Sequence, residues 1–286
     1  MKYKIAILDL YLGHENQGMR GIKETIEKFG ADYNLPLQYE VFDLRGKAEI
    51  PAIQDFDIFI GSGGPGSPLD SIGSVWEEKF FTLVEAIKNV NQTSSEKKYL
   101  FLICHSFQVY CRFYNYGLIC ERKSTSFGVL HAHKTEAGKQ DEILHNLADH
   151  FYIVDSRKWQ LIQPNMSKFY ETKSEVLALE KERPSIPFER ALMAIRFSEE
   201  IYGTQFHPEA DGLGMRHYLL TDQEKKEQVI EQFGEEKYLE MIDKLDDEEK
   251  IILTHKEILP NFFSKKYRRI EPQMASTATE YIHQIN

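Results

Sequence analysis

Short apolar runs typical of buried strands alternate with segments of helical periodicity over the first 116 residues. The predicted strands occupy residues 4–10, 37–44, 57–60 and 99–103. The predicted helices occupy residues 17–29, 75–90 and 107–116. Gly30 is placed to cap the first of these helices. Strands that alternate with helices in this way predict an α/β fold built on a doubly wound, mostly parallel sheet.

The rest of the chain divides into a strand-rich middle and a helical end. The predicted middle strands occupy residues 127–133, 151–154, 176–179, 191–197 and 201–206. From about Met215 glycine almost disappears, charged residues increase, and apolar residues take helical spacing with a break at Gly234. We therefore predict a domain at 1–212 and a C-terminal helical extension at 213–286, packed on the core or on a partner subunit.

The composition disfavours several classes of protein. The chain has 286 residues and a net charge of −10, which disfavours binding to nucleic acid through phosphate contacts. Its apolar runs fall far short of the ~20 residues of a membrane-spanning helix, and its N-terminus does not resemble a signal peptide. An odd number of cysteines without metal-ligand spacing predicts a reducing, cytoplasmic setting, with no metal and no cofactor. These cysteines are Cys104, Cys111 and Cys120.

The predicted strand at 99–103 ends at Cys104, and the chain then turns into a predicted helix. A sharp strand-to-helix turn of this kind holds a nucleophile at the carboxyl edge of a sheet. Free cysteine is also among the most buried residue types, so this stretch taken alone favours an ordinary core thiol. A second motif about a hundred residues downstream favours a catalytic thiol instead.

This second motif, His207-Pro208-Glu209, ends the last predicted strand. A thiol nucleophile needs a base or ion-pair partner that keeps it as thiolate, and histidine suits this role. The histidine in turn needs an acceptor on its other ring nitrogen. Because residues two apart at a strand end can point to the same side, Cys104, His207 and Glu209 could form a catalytic triad.

A glycine-rich turn, Ser62-Gly63-Gly64-Pro65-Gly66, follows the predicted strand at 57–60. Such turns expose backbone N–H groups, which can stabilise the oxyanion of an acyl-transfer reaction. A phosphate loop and a plain chain reversal are the alternatives, although the lysine and the serine or threonine of a P-loop are missing.

With these motifs, residues 3–210 resemble the class I (triad-type) glutamine amidotransferase family. The family's Gln-Phe-His-Pro-Glu motif stands at 205–209 and its Ser-Gly-Gly-Pro turn at 62–65, while its cysteine and the glutamine four residues on are Cys104 and Gln108. The resemblance implies a flavodoxin-like sheet and a stand-alone enzyme that hydrolyses glutamine, or another γ-glutamyl amide, through a thioester. It implies a small-molecule substrate and a separate ammonia-accepting synthetase as partner, with neither nucleic acid nor membrane.

The resemblance also assigns roles to individual residues. Cys104 would attack the substrate carbonyl, His207 would shuttle the proton, and Glu209 would orient the histidine. Backbone N–H groups of Gly64 and His105 would form the oxyanion hole. The predicted substrate-binding residues are Gly63, Gln108 and Arg157.

The chain departs from the family's pattern at three positions. The glycines two before and two after the cysteine are Leu102 and Ser106 here, and the late Ser-His pair is Ser156-Arg157. Leucine is bulky where strand and helix approach each other, whereas serine is small. An arginine near the pocket would suit a carboxylate-bearing ligand, and a surface arginine is the alternative.

Two other functions remain open. The chain also resembles the homoserine O-acyltransferases, whose cysteine elbow lacks the preceding glycine and whose His-Pro-Glu motif is followed by an acidic residue, here Asp211. That resemblance implies acyl transfer from an acyl-CoA through Cys104. An elbow distorted by Leu102 would instead leave a catalytically inactive binding protein.

Overall fold

The structure, a computed structural model, describes residues 3–14, 16–183, 185, 188–247 and 250–267. Within these residues nine strands form a single sheet. The strands are β1 (Lys4–Asp9), β2 (Gln38–Asp43), β3 (Ile58–Gly61), β4 (Tyr99–Ile103), β5 (Leu118–Lys134), β6 (His150–Ile162), β7 (Glu175–Glu180), β8 (Leu192–Arg196) and β9 (Ile201–Thr204). Each predicted strand corresponds to one of them, and β5 and β6 are much longer than predicted.

The three helices predicted in the first 116 residues are present as α1 (Gln17–Asp32), α3 (Val75–Thr93) and α4 (His105–Phe113), whereas the short helix α2 (Leu44–Lys47) was not predicted. Asn16 begins α1, because its side chain accepts a hydrogen bond from the backbone N–H of Met19. The same helix continues past Gly30, so the predicted cap at that glycine was wrong. The α-helices of the described ranges are α1 (Gln17–Asp32), α2 (Leu44–Lys47), α3 (Val75–Thr93), α4 (His105–Phe113), α5 (Glu136–Gln140), α6 (Met166–Thr172), α7 (Gly212–Thr221), α8 (Gln223–Phe233), α9 (Glu235–Asp246) and α10 (Ile251–Tyr267).

The sheet has the strand order β2-β1-β3-β4-β9-β8-β7-β5-β6. Neighbours from β2 to β9 run parallel, and neighbours from β9 to β6 run antiparallel. The predicted doubly wound α/β class is confirmed, with an antiparallel half added to the parallel one. Strand β4 lies between β3 and β9, so the carboxyl ends of the central strands share one edge. Ligands bind at this edge in sheets of this kind.

The central strand β4 shows why the sheet carries helices on both faces. All five of its residues are buried, and successive side chains of a strand point to opposite faces. Phe101 packs with Ile22 and Ile26 of α1, while Leu100 packs with Phe80 of α3 in a second core cluster. Each such side chain contributes about 1.5–3 kcal/mol when fully buried. A continuous apolar run therefore specifies a strand with a helical layer on each side.

The C-terminal helices pack against the sheet at two places. Helix α10 lies on the α1 face, where Phe262 meets Phe101 edge-on with ring centroids 5.0 Å apart. Helices α7 to α9 cover the β5–β6 pair, and Phe233 stacks on Phe127 at 4.1 Å. Gly234 separates α8 from α9 with a φ of 90°, as the predicted break requires.

The division of the chain after residue 212 remains a prediction, and residues 268–286 of the predicted extension lie outside the described residues. In the described part of the chain, no helix combines the length and apolar character that a membrane crossing needs.

Candidate active site

Cys104 occupies the turn between β4 and α4 with φ 49° and ψ −96°. Such a backbone is strained for a non-glycine residue, at a typical cost of about 1–3 kcal/mol. Two hydrogen bonds hold it: the N–H of Cys104 donates to the carbonyl of Thr204 at 2.8 Å, and the N–H of Gln108 donates to the carbonyl of Cys104 at 2.9 Å. Only 6% of the residue is exposed. The strand-to-helix turn thus fixes the thiol at the carboxyl edge of the sheet.

The two irregular residues of the elbow are accommodated by their neighbours. Leu102 pairs with Gly61 on β3 and with Gly203 on β9, so neither adjacent strand places a side chain beside it. Ser106 uses its hydroxyl to accept from the N–H of Ile103 at 2.9 Å and to donate to the carbonyl of Gly61 at 2.7 Å. A bulky leucine therefore fits without displacing Cys104, and the serine ties helix α4 to β3.

His207 and Glu209 lie just after β9 and form a close pair. The Nδ1 atom of His207 is 2.8 Å from Oε1 of Glu209, whose carboxylate is fully buried. Burial alone lowers the pKa of His207, but the Glu209 carboxylate and a hydrogen bond to Cys104 together raise it well above its usual 6.5. The ring therefore keeps a proton near neutral pH, with one nitrogen toward the carboxylate and the other toward the thiol.

The glycine-rich turn lies against this pair. A Cβ atom on Gly63 would be 2.7 Å from the hydroxyl of Tyr11 and 3.0 Å from Cε1 of His207. A Cβ atom on Gly64 would be 2.5 Å from the carbonyl oxygen of Leu10. These approaches leave no room for a side chain at either position. The predicted oxyanion donor at Gly64 borders the same cavity as Cys104.

His105 is the first residue of α4, where a backbone N–H has no partner within the helix. Its side chain is buried, and in the described structure its Nε2 atom has no hydrogen-bond partner. Burial, with smaller contributions from Arg45 and Arg112, lowers the pKa of this ring to about 3. The ring is therefore neutral, and the backbone N–H of His105 at the start of α4 remains the predicted oxyanion donor.

A cavity of about 540 Å³ opens at this edge of the sheet. Four of the predicted site residues line it, namely Cys104, His207, Glu209 and Gly64. The lining does not include the other four, namely Gly63, His105, Gln108 and Arg157. The side chain of Gln108 is buried, and its Nε2 donates to the carbonyl of Trp159 at 3.2 Å.

Arg157 takes neither of the two positions considered from the sequence. Only 1% of its side chain is exposed, so it is not a surface arginine. Its Nε donates to both carboxylate oxygens of Asp155 at 3.0 Å, and its Nη2 lies 3.6 Å from Glu180. A guanidinium engaged in this way beneath the cavity wall gives no support to the expected contact with a substrate carboxylate.

The structure adds cavity residues that the sequence did not single out. Tyr11 follows β1 at the same edge of the sheet, and this position was the available signal for it. Burial, together with the charges of Glu209 and Cys104, raises the pKa of its hydroxyl, so it stays a hydrogen-bond donor. Asp155 also lines the cavity, next to Ser156 of the Ser156-Arg157 pair that the sequence had singled out. Polar residues also come from the start of α1 and the loop before it, namely His14, Asn16 and Gln17. Apolar lining residues come from β5, β6 and the C-terminal helices.

These features define an α/β protein with a cysteine, a histidine and a glutamate assembled at the carboxyl edge of its sheet. The model of the family described as glutamine amidotransferase class-I matches residues 20–226, which is more than half of the chain. The chain therefore belongs to this family. A search of curated proteins found no match to this chain.

Several solved structures share the fold. A glutamine amidotransferase from Thermotoga maritima superposes with a TM-score of 0.66 at 12% identity, over 92% of this chain and 97% of that one. A glutamine amidotransferase from Methylobacillus flagellatus gives 0.62 at 15% identity, over 93% and 94%. The glutaminase domain of Trypanosoma brucei CTPS, with bound acivicin, gives 0.51 at 12% identity, over 72% and 86%. At these identities the likeness shows a glutamine amidotransferase-like fold.

Proposed function

We propose that the chain hydrolyses the γ-amide of glutamine, or of a related γ-glutamyl amide, through a thioester on Cys104. The observation that carries the proposal is the placement of a strained, buried cysteine beside a histidine whose second ring nitrogen is 2.8 Å from a buried glutamate. Membership of the class-I glutamine amidotransferase family supports the same chemistry.

In the first half of the reaction, the thiolate of Cys104 attacks the amide carbon and the carbonyl oxygen becomes an oxyanion. The backbone N–H groups of Gly64 and His105 are the proposed donors to that charge, and each such donor commonly contributes about 3 kcal/mol. His207, whose raised pKa keeps it protonated, then gives its proton to the departing nitrogen. The C–N bond breaks, and ammonia or an amine leaves behind the γ-glutamyl thioester.

In the second half, His207 takes a proton from water, and the oxygen of that water attacks the thioester carbon. The C–S bond breaks, glutamate leaves, and Cys104 is restored as the partner of the imidazolium. Glu209 keeps the ring in the tautomer that both halves need. A separate synthetase that uses the ammonia is the partner implied here, and the cytoplasm, predicted from the cysteine count, is the setting.

The two alternative functions have less support. Asp211, which suggested an acyltransferase, accepts from the N–H of Gly214 at 2.9 Å and pairs with Arg20 at 3.3 Å, so its carboxylate already has partners. The inactive binding protein depended on an elbow distorted by Leu102. That leucine lies between two glycines, and the strained backbone of Cys104 is retained.

The test is a comparison of Cys104→Ala with Cys120→Ala, a matched change at a half-buried thiol on β5. We expect Cys104→Ala to abolish release of ammonia from glutamine, measured as free ammonia, and to prevent a covalent adduct with acivicin, followed by intact protein mass. Cys120→Ala should retain both properties. Turnover that persists in folded Cys104→Ala protein would refute the proposal.

A further inference from the structure

The cavity beside Cys104 extends well beyond the three polar residues of the candidate site. Part of its lining is polar and includes Asn16, Gln17, Asp155 and Ser156. Another part consists of apolar side chains supplied by β5, β6, α7, α8 and α9, which we call the apolar arm. The apolar arm is defined by Phe127, Val129, Val154, Leu219, Val229 and Met241.

The apolar arm is built by the helices that follow the His-Pro-Glu motif. Leu219 of α7, Val229 of α8 and Met241 of α9 are all buried, and they belong to one core cluster with Val129 and Val154. Protein interiors contain few voids larger than a water molecule, so a lined space that connects to a reactive thiol is a feature of the fold rather than loose packing. Its volume of about 540 Å³ lies within the range of small-molecule sites.

The mixed lining of the cavity orients a substrate whose scissile carbon lies at Cys104. A γ-glutamyl group carries an ammonium and a carboxylate, and an unpaired charge is strongly disfavoured against apolar side chains. The amino-acid end of the substrate must therefore lie toward the polar part of the lining. Since the scissile carbon sits at Cys104, the group on the departing nitrogen then points into the apolar arm. Ammonia, released from glutamine, would leave that arm unused.

We propose, on the basis of the function proposed above, that the substrate is a γ-glutamyl amide of an apolar amine. The apolar arm binds the alkyl or aryl group of that amine, which leaves as the free amine when the C–N bond breaks. The products are an apolar amine and, after hydrolysis of the thioester, glutamate.

The first test compares kcat/KM for glutamine, γ-glutamylmethylamide, γ-glutamylisobutylamide and γ-glutamylanilide, with release of glutamate as the common readout. We expect kcat/KM to rise along this series, by roughly 10-fold or more from glutamine to the best apolar amide, since even one methylene in an apolar pocket is worth about that factor. A highest value for glutamine would overturn the inference and leave the proposed function intact. No release from any compound would overturn both.

The second test changes the apolar arm itself. Leu219, 5% exposed, lines it, whereas the next residue on α7, Leu220, is 50% exposed and provides a matched control. Leu219→Phe should lower the ratio of kcat/KM for the anilide to kcat/KM for glutamine by at least about 10-fold. Leu220→Phe should leave this ratio at its wild-type value. If Leu219→Phe lowers the Tm, Val229→Thr serves as the test instead. It replaces a methyl group with a hydroxyl of similar size and should reduce the ratio of anilide to glutamine kcat/KM. An unchanged ratio in folded Val229→Thr protein would overturn the inference.

Discussion

Substitution of Gly21 by alanine, which adds one carbon atom, tests whether helix α1 positions Glu209. It lies on α1, and a Cβ atom there would be 2.1 Å from the backbone carbonyl oxygen of Glu209. Ordinary contact begins near 3.4 Å, so Gly21→Ala requires the two groups to separate by about 1.3 Å. A misplacement of ~1 Å in a catalytic group costs on the order of 100-fold in rate. We therefore expect Gly21→Ala to slow the reaction of Cys104 by about that factor.

Gly30→Ala on the same helix provides the control. Its Cβ atom would be 3.2 Å from the carbonyl oxygen of Leu35, which requires a shift of only tenths of an ångström. Higher helix propensity should raise the free energy of unfolding of both variants by about 1 kcal/mol. In Gly21→Ala the steric overlap should lower it by about 1–3 kcal/mol. The assays are the rate of Cys104 alkylation by acivicin and the Tm. Wild-type alkylation in Gly21→Ala would show that α1 does not position Glu209.

Three further substitutions test other parts of the site. Glu209→Gln removes the carboxylate that raises the pKa of His207, so the alkaline limb of the rate–pH profile should move to lower pH and kcat should fall roughly 10³–10⁴-fold; an unmoved limb would contradict the pairing. Leu102→Ala should lose about 2–5 kcal/mol in urea unfolding, because the flanking glycines cannot fill the space; a loss under about 1 kcal/mol would contradict this packing. Arg157→Met leaves Asp155 without its ion-pair partner, which should cost about 3–5 kcal/mol with little change in KM; a raised KM alone would restore its predicted binding role.

The parallel half of the sheet could be predicted well because its strands are buried on both faces. β4 is a continuous apolar run, and such runs stand out from the polar segments around them. The antiparallel strand β5 was predicted only at 127–133, although it spans Leu118–Lys134. Its first half consists mostly of exposed and partly buried residues in no regular order, and its pairing with β6 shifts register between Glu121 and Ser126. A half-exposed, irregular strand lacks the apolar pattern from which its length could be predicted.

The residues of the candidate site also differ in how well the sequence could predict their roles. Cys104 and His207 could be singled out because a reactive side chain at a strand end has a local signature in the sequence. Arg157 has no such signature, since its burial depends on Asp155 and on Glu180, which lies on another strand. Gly30 likewise resembled a helix cap, whereas it lies inside α1 and lets the carbonyl of Leu35 approach closely. Contacts between distant segments decide these roles, and periodicity carries no information about them.

The C-terminal helices belong to the candidate site as much as to the periphery. Glu209 lies against α1 at Gly21, and His255 of α10 lies near its backbone. Burial lowers the pKa of His255, so a neutral ring lies at this position. Helices α7 to α9 meanwhile supply part of the lining of the cavity that contains Cys104, through Met215, Leu219, Val229, Met241 and Leu245. The same extension therefore lies against Glu209 and lines the cavity that contains Cys104, so the predicted boundary after residue 212 runs through the candidate site.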